Sequence, residues 1–417
     1  MERIICMNSG LILTGFDTLR IAIFSESWVP NLNGVVISII NEVQSLKNKH
    51  DFVIFVPKLK QSKPFRIEGI PIYEFWSVPF PPYPGYKLAM PSISFSKAIK
   101  KECFDLIHSH GPFSLGYAAV LTARVFYDLP LLNTYHTDLA EYSGHMIGGY
   151  QAEKFTAWFR RFAWAYVRWY YKYSNVVVTP SKTLQQALRI NGVKPPVYAL
   201  PNMISSVFFK NDQDSHEEEV FQNQVCEKYG VKPHHRVILY CGRISYEKKL
   251  EVILRAFKQV EKHYQNAFLL VVGDGPHLKM YKNQAKELNL RNCAFTGFIS
   301  HTKLPYIYRM GEFMVTPSDT ETQGLTVIEA MSQRLPVIGV ARGGVLDYIH
   351  HDQNGILVPP GDSASFAQAI IKLLEDSDLV SDYARKAFKT AQKYSTRGFV
   401  SLLEKAFHLT VKLHQSL

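Results

Sequence analysis

Residues 321–331 read Glu-Thr-Gln-Gly-Leu-Thr-Val-Ile-Glu-Ala-Met. The apolar run that precedes them, residues 313–318, ends in Pro and Ser and predicts a buried strand closed by a turn. Gly324 favours a loop and the apolar residues after it suit a helix, so we expect Glu321 on the loop and Glu329 on the helix. Acidic residues also favour helix N-termini for electrostatic reasons alone. The stretch predicts a strand–loop–helix unit of a parallel α/β sheet with two carboxylates at its carboxyl edge.

The composition is that of an ordinary globular chain. The 417 residues include 47% hydrophobic and 20% charged residues, which suggests two to three domains and excludes a disordered protein. The five cysteines are far apart and odd in number, which favours a reducing, cytoplasmic setting. No apolar run reaches the roughly 20 residues of a membrane span, and the first twenty residues make a poor signal peptide.

The net charge of +11 is uneven. Residues 1–200 carry 21 Lys+Arg and 13 Asp+Glu, so most of the excess lies in this half. A basic amino-terminal half suggests an anionic partner such as a membrane surface, a nucleic acid or a phosphorylated substrate, although solubility alone also explains it.

Short apolar runs alternate with helical patterns along the whole chain, which predicts parallel, doubly wound sheets. An acidic stretch around residues 211–219 interrupts the series, and a second series of strands starts near residue 236. We therefore predict an extension, a first Rossmann-like domain, a linker or insertion, a second Rossmann-like domain and a final helix that returns to the first domain. Their ranges are 1–19, 20–205, 206–235, 236–395 and 396–417.

Two common nucleotide-binding motifs are absent from the sequence. Residues 273–278, Gly-Asp-Gly-Pro-His-Leu, lack the third glycine of a dinucleotide fingerprint, and no phosphate-binding G-x-x-x-x-G-K-[ST] occurs. Residues 212–214, Asp-Gln-Asp, resemble a metal-binding acidic pair, but they lie in the acidic stretch, so we interpret the two carboxylates as solvated charges.

A basic loop follows the first strand of the second series. Gly242 allows close approach of the backbone to a ligand. Arg243 can form a two-pronged contact with a diphosphate, and Lys248 adds a mobile point charge. Basic loops are usually plain surface, but two carboxylates in the same domain favour a ligand site here.

These motifs resemble the retaining glycosyltransferases of family 4, which have the GT-B architecture of two Rossmann-like domains and an interdomain cleft. The similarity covers about residues 20–395 and keeps the family's order. The matching motifs are 30–34, 105–110, 135–137, Gly242-Arg243-x4-Lys248, 273–276, Gly297-Phe298, Pro317-Ser318, Glu321-x7-Glu329-Ala330-Met331 and Gly343-Gly344.

The resemblance implies roles for particular residues. Arg243 and Lys248 would bind the donor diphosphate, Glu321 the donor sugar, Glu329 the ribose hydroxyls, and His136 would contact the sugar from across the cleft. His136, Glu321, Arg243 and Lys248 are thus the candidate catalytic residues. The remaining candidate donor-binding residues are Gly34, Gly242, Gly273, Gly275, Phe298, Ile299, Gly324 and Leu325.

Three departures from the family pattern concern the donor loops. Residues 30–34 hold one glycine where many members have two, and Lys249 stands where glycine is common. Thr322-Gln323 replaces the frequent Gly-Phe. This version resembles members that glycosylate diacylglycerol or related glycolipids. The candidate acceptor residues are Asn33, His110, Tyr135, Asp138 and Tyr142.

Residues 154–172 hold three of the five tryptophans among five cations. This mixture suits a membrane interface or single-stranded nucleic acid, and it equally suits a helix packed in the first domain. No recognition motif supports nucleic acid. We take Arg160, Arg161, Trp164 and Arg168 as a candidate membrane patch.

The sequence therefore predicts a retaining hexosyltransferase that uses a nucleotide sugar, with UDP-glucose as first candidate and GDP-mannose as second. The expected acceptor is a membrane lipid, with a soluble or polysaccharide acceptor as the alternative, and no metal or other cofactor is expected. A UDP-sugar epimerase and a non-enzymatic lipid-binding protein on the same scaffold remain open. We expect it in the cytoplasm, peripheral at the inner membrane face.

Overall fold

The computed structural model describes residues 18–30, 33–59, 65–79, 87–90, 99–139, 153–209 and 215–416. The predictions for Tyr142, for residues 1–17 of the extension and for the acidic residues 212–214 lie outside these ranges.

The chain alternates strands and helices through most of its length, as the sequence predicts. The strands are β1 (Arg20–Phe24), β2 (Asp51–Pro57), β3 (Ile72–Phe75), β4 (Ser77–Pro79), β5 (Lys87–Ala89), β6 (Leu106–Ser109), β7 (Leu131–Thr134), β8 (Val176–Thr179), β9 (Val197–Ala199), β10 (Arg236–Cys241), β11 (Ala267–Val272), β12 (Cys293–Gly297), β13 (Phe313–Thr316), β14 (Val337–Val340) and β15 (Gly355–Val358).

The α-helices among the described residues fill most of the connections between the strands. They are α1 (Gly34–Leu46), α2 (Ser114–Leu121), α3 (Glu153–Tyr171), α4 (Lys182–Ile190), α5 (Ser215–Tyr229), α6 (Leu250–His263), α7 (Leu278–Glu287), α8 (Leu304–Met310), α9 (Leu325–Ser332), α10 (Ser363–Glu375), α11 (Ser377–Gln392) and α12 (Thr396–Gln415). None of these helices combines the length and the apolar composition needed to cross a membrane.

Two larger sheets carry the fold. The first has the strand order β3-β2-β1-β6-β7-β8-β9, and the second has the order β12-β11-β10-β13-β14-β15. β1 pairs in parallel with β2 and β6, and β10 pairs in parallel with β11 and β13. β4 and β5 form a small antiparallel pair.

Contacts between Cα atoms divide the chain into two compact units. The first unit comprises the chain up to Leu132 together with the chain from Phe407 on, and the second comprises Asn133–Ala406. In the first unit, the buried ring of Phe407 packs edge-on against His50 and His108.

The second sheet is buried on both faces, as a sheet covered by helices on both sides must be. On β10, Ile238 and Tyr240 belong to the core cluster that includes α6 and α10. The alternate residues Val237, Leu239 and Cys241 belong to the cluster that includes α9. The apolar, non-alternating composition of these strands follows from this double burial.

The predicted linker contains a helix that the acidic composition concealed. In α5, Phe221, Val225 and Tyr229 recur every four residues and pack against the core cluster that includes α9. This spacing places them on one face of a helix, so residues 215–229 are part of the packed structure.

Candidate active site

The candidate donor residues Lys248 and Glu321 lie where the order of the second sheet reverses. Counting outward from β10, the chain moves first to β11 and β12 and later returns to β13 on the other side. In parallel α/β sheets, ligands bind at such a switch point, beyond the carboxyl ends of the strands. The loops after β10 and β13 flank this point and carry Lys248 and Glu321.

Lys248 and Glu321 are 73 residues apart in sequence and form an ion pair in the structure. Lys248 Nζ donates to Glu321 Oε1 over 2.6 Å. Their side chains are 22% and 17% exposed, so solvent still reaches both groups. The ammonium and the carboxylate satisfy each other, and a diphosphate and a sugar hydroxyl are groups that could replace these partners.

Glu329 is held inside the same edge of the sheet by a buried tyrosine. The hydroxyl of Tyr308 on α8 donates to Glu329 Oε2 over 2.9 Å, and His301 Nε2 lies 3.4 Å from Oε1. Burial, reinforced by Cys241 and Glu329, raises the pKa of Tyr308 well above its ordinary value. The hydroxyl therefore stays protonated and remains a donor, which fixes the orientation of the carboxylate.

Two candidate donor-site glycines are required by backbone packing. A Cβ at Gly273 would lie 1.9 Å from the carbonyl oxygen of Gly242, and one at Gly275 would lie 2.2 Å from that of Ile244. The loops after β10 and β11 therefore touch through their backbones. A donor contact of Gly242, Gly273 or Gly275 stays a prediction, because packing already explains the glycines at 273 and 275.

The start of α9 is built by another close backbone contact. Gly324 has a φ of +83°, and no side chain caps the N-terminus that it begins. Gly344 N donates to the carbonyl oxygen of Glu321 over 2.6 Å, and a Cβ at Gly344 would lie 2.2 Å from the carbonyl oxygen of Thr322. The half-buried Leu325 opens the helix, whose first amide groups suit an anion.

Three other candidate donor residues are accessible to a ligand to different degrees. Phe298, directly after β12, is 70% exposed, whereas Ile299 packs against the core. Arg243, after β10, is exposed. Contacts of Phe298 and Ile299 to a base and of Arg243 to a diphosphate stay predictions.

The first unit contains three of the remaining candidates. Asn33 caps α1, since its side chain accepts from the amides of Val35 and Val36, and Gly34 begins that helix. His110 is buried beside Glu42, which pairs with His108 over 2.8 Å. These side chains have structural partners, and their acceptor or donor roles stay predictions.

The second unit places Tyr135, His136 and Asp138 directly after β7. His136 and Asp138 are half-buried, but the Tyr135 ring is 1% exposed and its hydroxyl accepts from the amide of Leu139. The side chain of Tyr135 thus packs inside the unit, and an acceptor contact of Tyr135 stays a prediction.

Helix α3 has one buried and one exposed face. Trp164 is buried together with Val167 and Tyr171, which places Trp164 outside any exposed patch. Arg160, Arg161 and Arg168 are exposed. Three large apolar side chains are exposed with them, namely Trp158, Phe162 and Trp169.

Sequence reasoning missed four residues that shape this site. Tyr308 orients Glu329, and Lys249 forms an ion pair with Asp319 over 2.5 Å. Gln323 exchanges two hydrogen bonds with the backbone of Asn202 and so anchors the loop of Glu321. For Lys249 and Gln323, the departure from the family pattern was the only signal in the sequence. Tyr308 and Asp319 gave no signal that the sequence analysis used.

Comparison with a solved structure identifies the fold class of the protein. The fold matches that of the Anabaena protein HepE, solved in complex with UDP-glucose, with a TM-score of 0.70 at 17% identity, over 94% of this chain and 99% of that one. The protein therefore has the GT-B fold, as the sequence predicts.

Two protein-family models match consecutive parts of the chain and identify its family. The model "Glycosyltransferase Family 4" matches residues 32–206, and "Glycosyl transferases group 1" matches residues 222–390. Together they span most of the chain, which belongs to glycosyltransferase family 4. It is a hexosyltransferase.

Two curated relatives carry the same name. The alpha-monoglucosyldiacylglycerol synthase of Streptococcus pneumoniae is 28% identical over 82% of this chain and 78% of its own length. The alpha-monoglucosyldiacylglycerol synthase of Acholeplasma laidlawii is 22% identical over 93% of this chain and 96% of its own length.

Proposed function

We propose that the protein is a retaining glucosyltransferase that moves glucose from UDP-glucose to a hydroxyl group of a membrane lipid, with diacylglycerol or a monoglycosyl derivative as acceptor. The observation that carries the proposal is the pairing of Lys248 with Glu321 beside the anchored Glu329, at the switch point of the second sheet.

These side chains match the chemistry of an NDP-sugar. Arg243 and Lys248 neutralise the diphosphate as the bond between the anomeric carbon and its phosphate oxygen breaks, and preorganised charges of this kind are worth about 3–4 kcal/mol each. Glu321 accepts from the sugar hydroxyls and Glu329 from the ribose diol. The acceptor oxygen attacks from the face that the leaving group vacates, and its proton passes to the departing diphosphate.

The two cations supply the positive charge that a metal ion would otherwise provide, so we propose that transfer is independent of metal. Activity in the presence of a chelator tests this. A loss of transfer with EDTA that Mg²⁺ restores would contradict it.

The names of the relatives support the choice of sugar and acceptor. The two synthases named above are glucosyltransferases that act on diacylglycerol by their names, and the Glu-Thr-Gln-Gly segment is the version that suggested this branch. GDP-mannose is the second candidate donor, because mannosyltransferases that depend on GDP-mannose also match this chain.

A lipid acceptor requires the protein to work at a membrane surface. The exposed face of α3 carries three large apolar side chains and several cations, a composition that partitions into a bilayer interface. We propose that the protein is peripheral on an anionic membrane through this face.

The decisive experiment incubates the purified protein with UDP-glucose, UDP-galactose or GDP-mannose and with vesicles containing diacylglycerol or a glycolipid, or with soluble sugars. We expect glucosyl lipid from UDP-glucose, with the α-configuration by NMR. Glu321→Gln should reduce transfer by at least about a hundredfold, whereas Asp382→Asn, which removes an ion-paired carboxylate of α11, should leave it unchanged.

Three outcomes would redirect the proposal. Conversion of UDP-sugar without an acceptor would indicate the epimerase. Vesicle binding without turnover of any nucleotide sugar would indicate a lipid-binding protein. Full activity of Glu321→Gln would show that the site is misplaced.

A further inference from the structure

Two lysines in succession reach from one donor loop to the other. Lys248 pairs with Glu321 over 2.6 Å, and Lys249 Nζ donates to Asp319 Oδ2 over 2.5 Å. Both lysines precede α6, and both carboxylates follow β13. The two pairs therefore join the same loops side by side, and their burial differs: the Asp319 side chain is 7% exposed and that of Glu321 is 17% exposed.

Lys249 has a backbone conformation that disfavours it. Its φ is +51° and its ψ is +40°, in the left-handed region where the Cβ of a non-glycine residue is crowded. Glycine would adopt this conformation without strain. Strain of this kind persists at functional sites, where the surrounding structure enforces it. A strained lysine whose ammonium reaches a buried carboxylate points to a role for the side chain.

The surroundings of Asp319 show that the pair is enclosed. Arg342 Nη1 lies 3.8 Å from Oδ2, which adds a second cation on the same oxygen. Oδ1 is buried and has no hydrogen-bond partner among the described residues. A buried carboxylate that lost Lys249 would be left with one distant cation, so this pair is costly to open.

We propose that Lys249 and Asp319 form a positioning pair that holds the β13–α9 loop against the β10–α6 loop when the donor binds. On binding, the diphosphate becomes the partner of Lys248 and a sugar hydroxyl becomes the partner of Glu321. This inference rests on the proposed function, in which the diphosphate draws Lys248 away from Glu321. The second pair then keeps Glu321 in reach of the sugar hydroxyls. Lys249 and Asp319 act through Glu321, with no contact to the reacting atoms required.

The test uses Lys249→Gly and Asp319→Asn. Lys372→Ala is the control, because it removes the exposed ion pair with Asp352 elsewhere in the second unit. Hydrogen exchange of residues 318–325 in the ligand-free protein reports the position of the loop, and donor kinetics report its consequence.

We expect Lys249→Gly to speed exchange in residues 318–325 and to lower kcat for UDP-glucose by about tenfold or more, since small misplacements of a catalytic group have effects of this size. Inhibition by UDP, which lacks the sugar, should change less than about threefold. The melting temperature should fall, because the loss of the close cation of the buried Asp319 carboxylate outweighs the strain that glycine relieves.

Unchanged exchange in residues 318–325 overturns the inference, whether or not the protein transfers glucose. Faster exchange with unchanged kcat also overturns it, because the pair would then hold the loop in place without any effect on the rate of transfer. If the wild type transfers hexose from no nucleotide sugar, the proposed function fails, and the exchange data still decide whether the pair holds the loop.

Discussion

Glu26 lies shortly after β1, and its buried carboxyl group contacts the start of α2. Its oxygens accept from the amides of Leu115 and Gly116 and from the hydroxyl of Ser114, at the start of α2. Burial raises its pKa from 4.5 to about 7, and the three hydrogen bonds only partly oppose this effect. The folded protein therefore favours the protonated acid.

The sign of the resulting pH dependence follows from this shift. The unfolded chain ionises near pH 4.5, whereas the folded chain holds its proton up to about pH 7. The free energy of unfolding should fall between these values as the pH rises, by about 2–3 kcal/mol from this group. Glu26→Gln, which keeps the acceptor oxygen, should remove that part of the slope in urea titrations at pH 5 and pH 7.5.

Asp362 provides the control for Glu26→Gln. It caps α10, and its hydrogen bonds to Ser365 lower its pKa, so its contribution is lost only at more acidic pH. Asp362→Asn should leave the slope between pH 5 and pH 7.5 as it is. An equal slope in the wild type and Glu26→Gln would contradict the assignment.

Tyr308 should control the affinity for the donor through Glu329. Tyr308→Phe removes the hydrogen bond to a carboxylate, which is worth about 1.5–3 kcal/mol. We expect the KM for UDP-glucose and the inhibition constant of UDP to rise by at least about tenfold with little change in kcat, because the ribose is bound equally in ground and transition states.

The matched control is Tyr264→Phe, which removes an exposed hydrogen bond to Glu375 over 2.7 Å. That variant should bind UDP like the wild type. A Tyr308→Phe protein whose kcat falls while its KM stays constant would show that Tyr308 serves the chemical step.

The residue scale also shows where sequence reasoning stops. Lys248 and Glu321 could be assigned because each follows a strand whose carboxyl end was predictable from its apolar run. Tyr308 lies inside a short helix, and no local pattern tells which face of it meets Glu329. Side-chain pairs between elements depend on tertiary packing, which a single sequence does not encode locally.

At the scale of an element, α3 tests the membrane proposal. Trp158→Ser, Phe162→Ser and Trp169→Ser together remove the exposed apolar side chains without touching the buried face. We expect the triple variant to bind vesicles of anionic lipid at least about tenfold more weakly in flotation assays, since each buried aromatic side chain contributes apolar area. Ile190→Ser is the control, because Ile190 is 83% exposed on α4.

The cations of the same helix should act differently from its aromatics. Neutralising Arg160, Arg161 and Arg168 removes long-range attraction, which salt screens within about 10 Å at 0.1 M. This variant should lose binding chiefly at low salt, whereas the aromatic variant should lose it at every salt concentration. Unchanged flotation of both variants would exclude this face as the membrane contact.

Strands with a continuous apolar run could be predicted from the sequence, and strands of mixed composition could not. β13 lies within the predicted run of residues 313–318, and β10 begins at residue 236, where the second series of strands was predicted to start, since each is a short apolar run with buried residues. β3 and β9 were not predicted, because their burial is incomplete and their sequences are mixed. The face of α3 that is buried also required the structure, since aromatic residues occur on both sides of that helix.

The last helix of the chain, α12, ends in the first unit. Phe407 is fully buried in that unit, and α12 continues to His414, which lies 3.2 Å from Arg124. The first unit therefore includes the end of α12, whereas the candidate donor residues Lys248, Glu321 and Glu329 belong to the other unit.

Because Phe407 packs against His108 of the first sheet and the donor residues follow strands of the second sheet, we expect two thermal transitions with different sensitivities. Phe407→Ala should cost about 3–5 kcal/mol in the first unit by leaving a cavity, and UDP should raise only the transition of the unit that binds it. In calorimetry we therefore expect Phe407→Ala to lower the transition that UDP does not shift. Leu402→Ala, on an exposed position of the same helix, should change neither transition. If Phe407→Ala lowers both transitions equally, the two units unfold as one cooperative body, and the stability of the donor site depends on the chain's last helix.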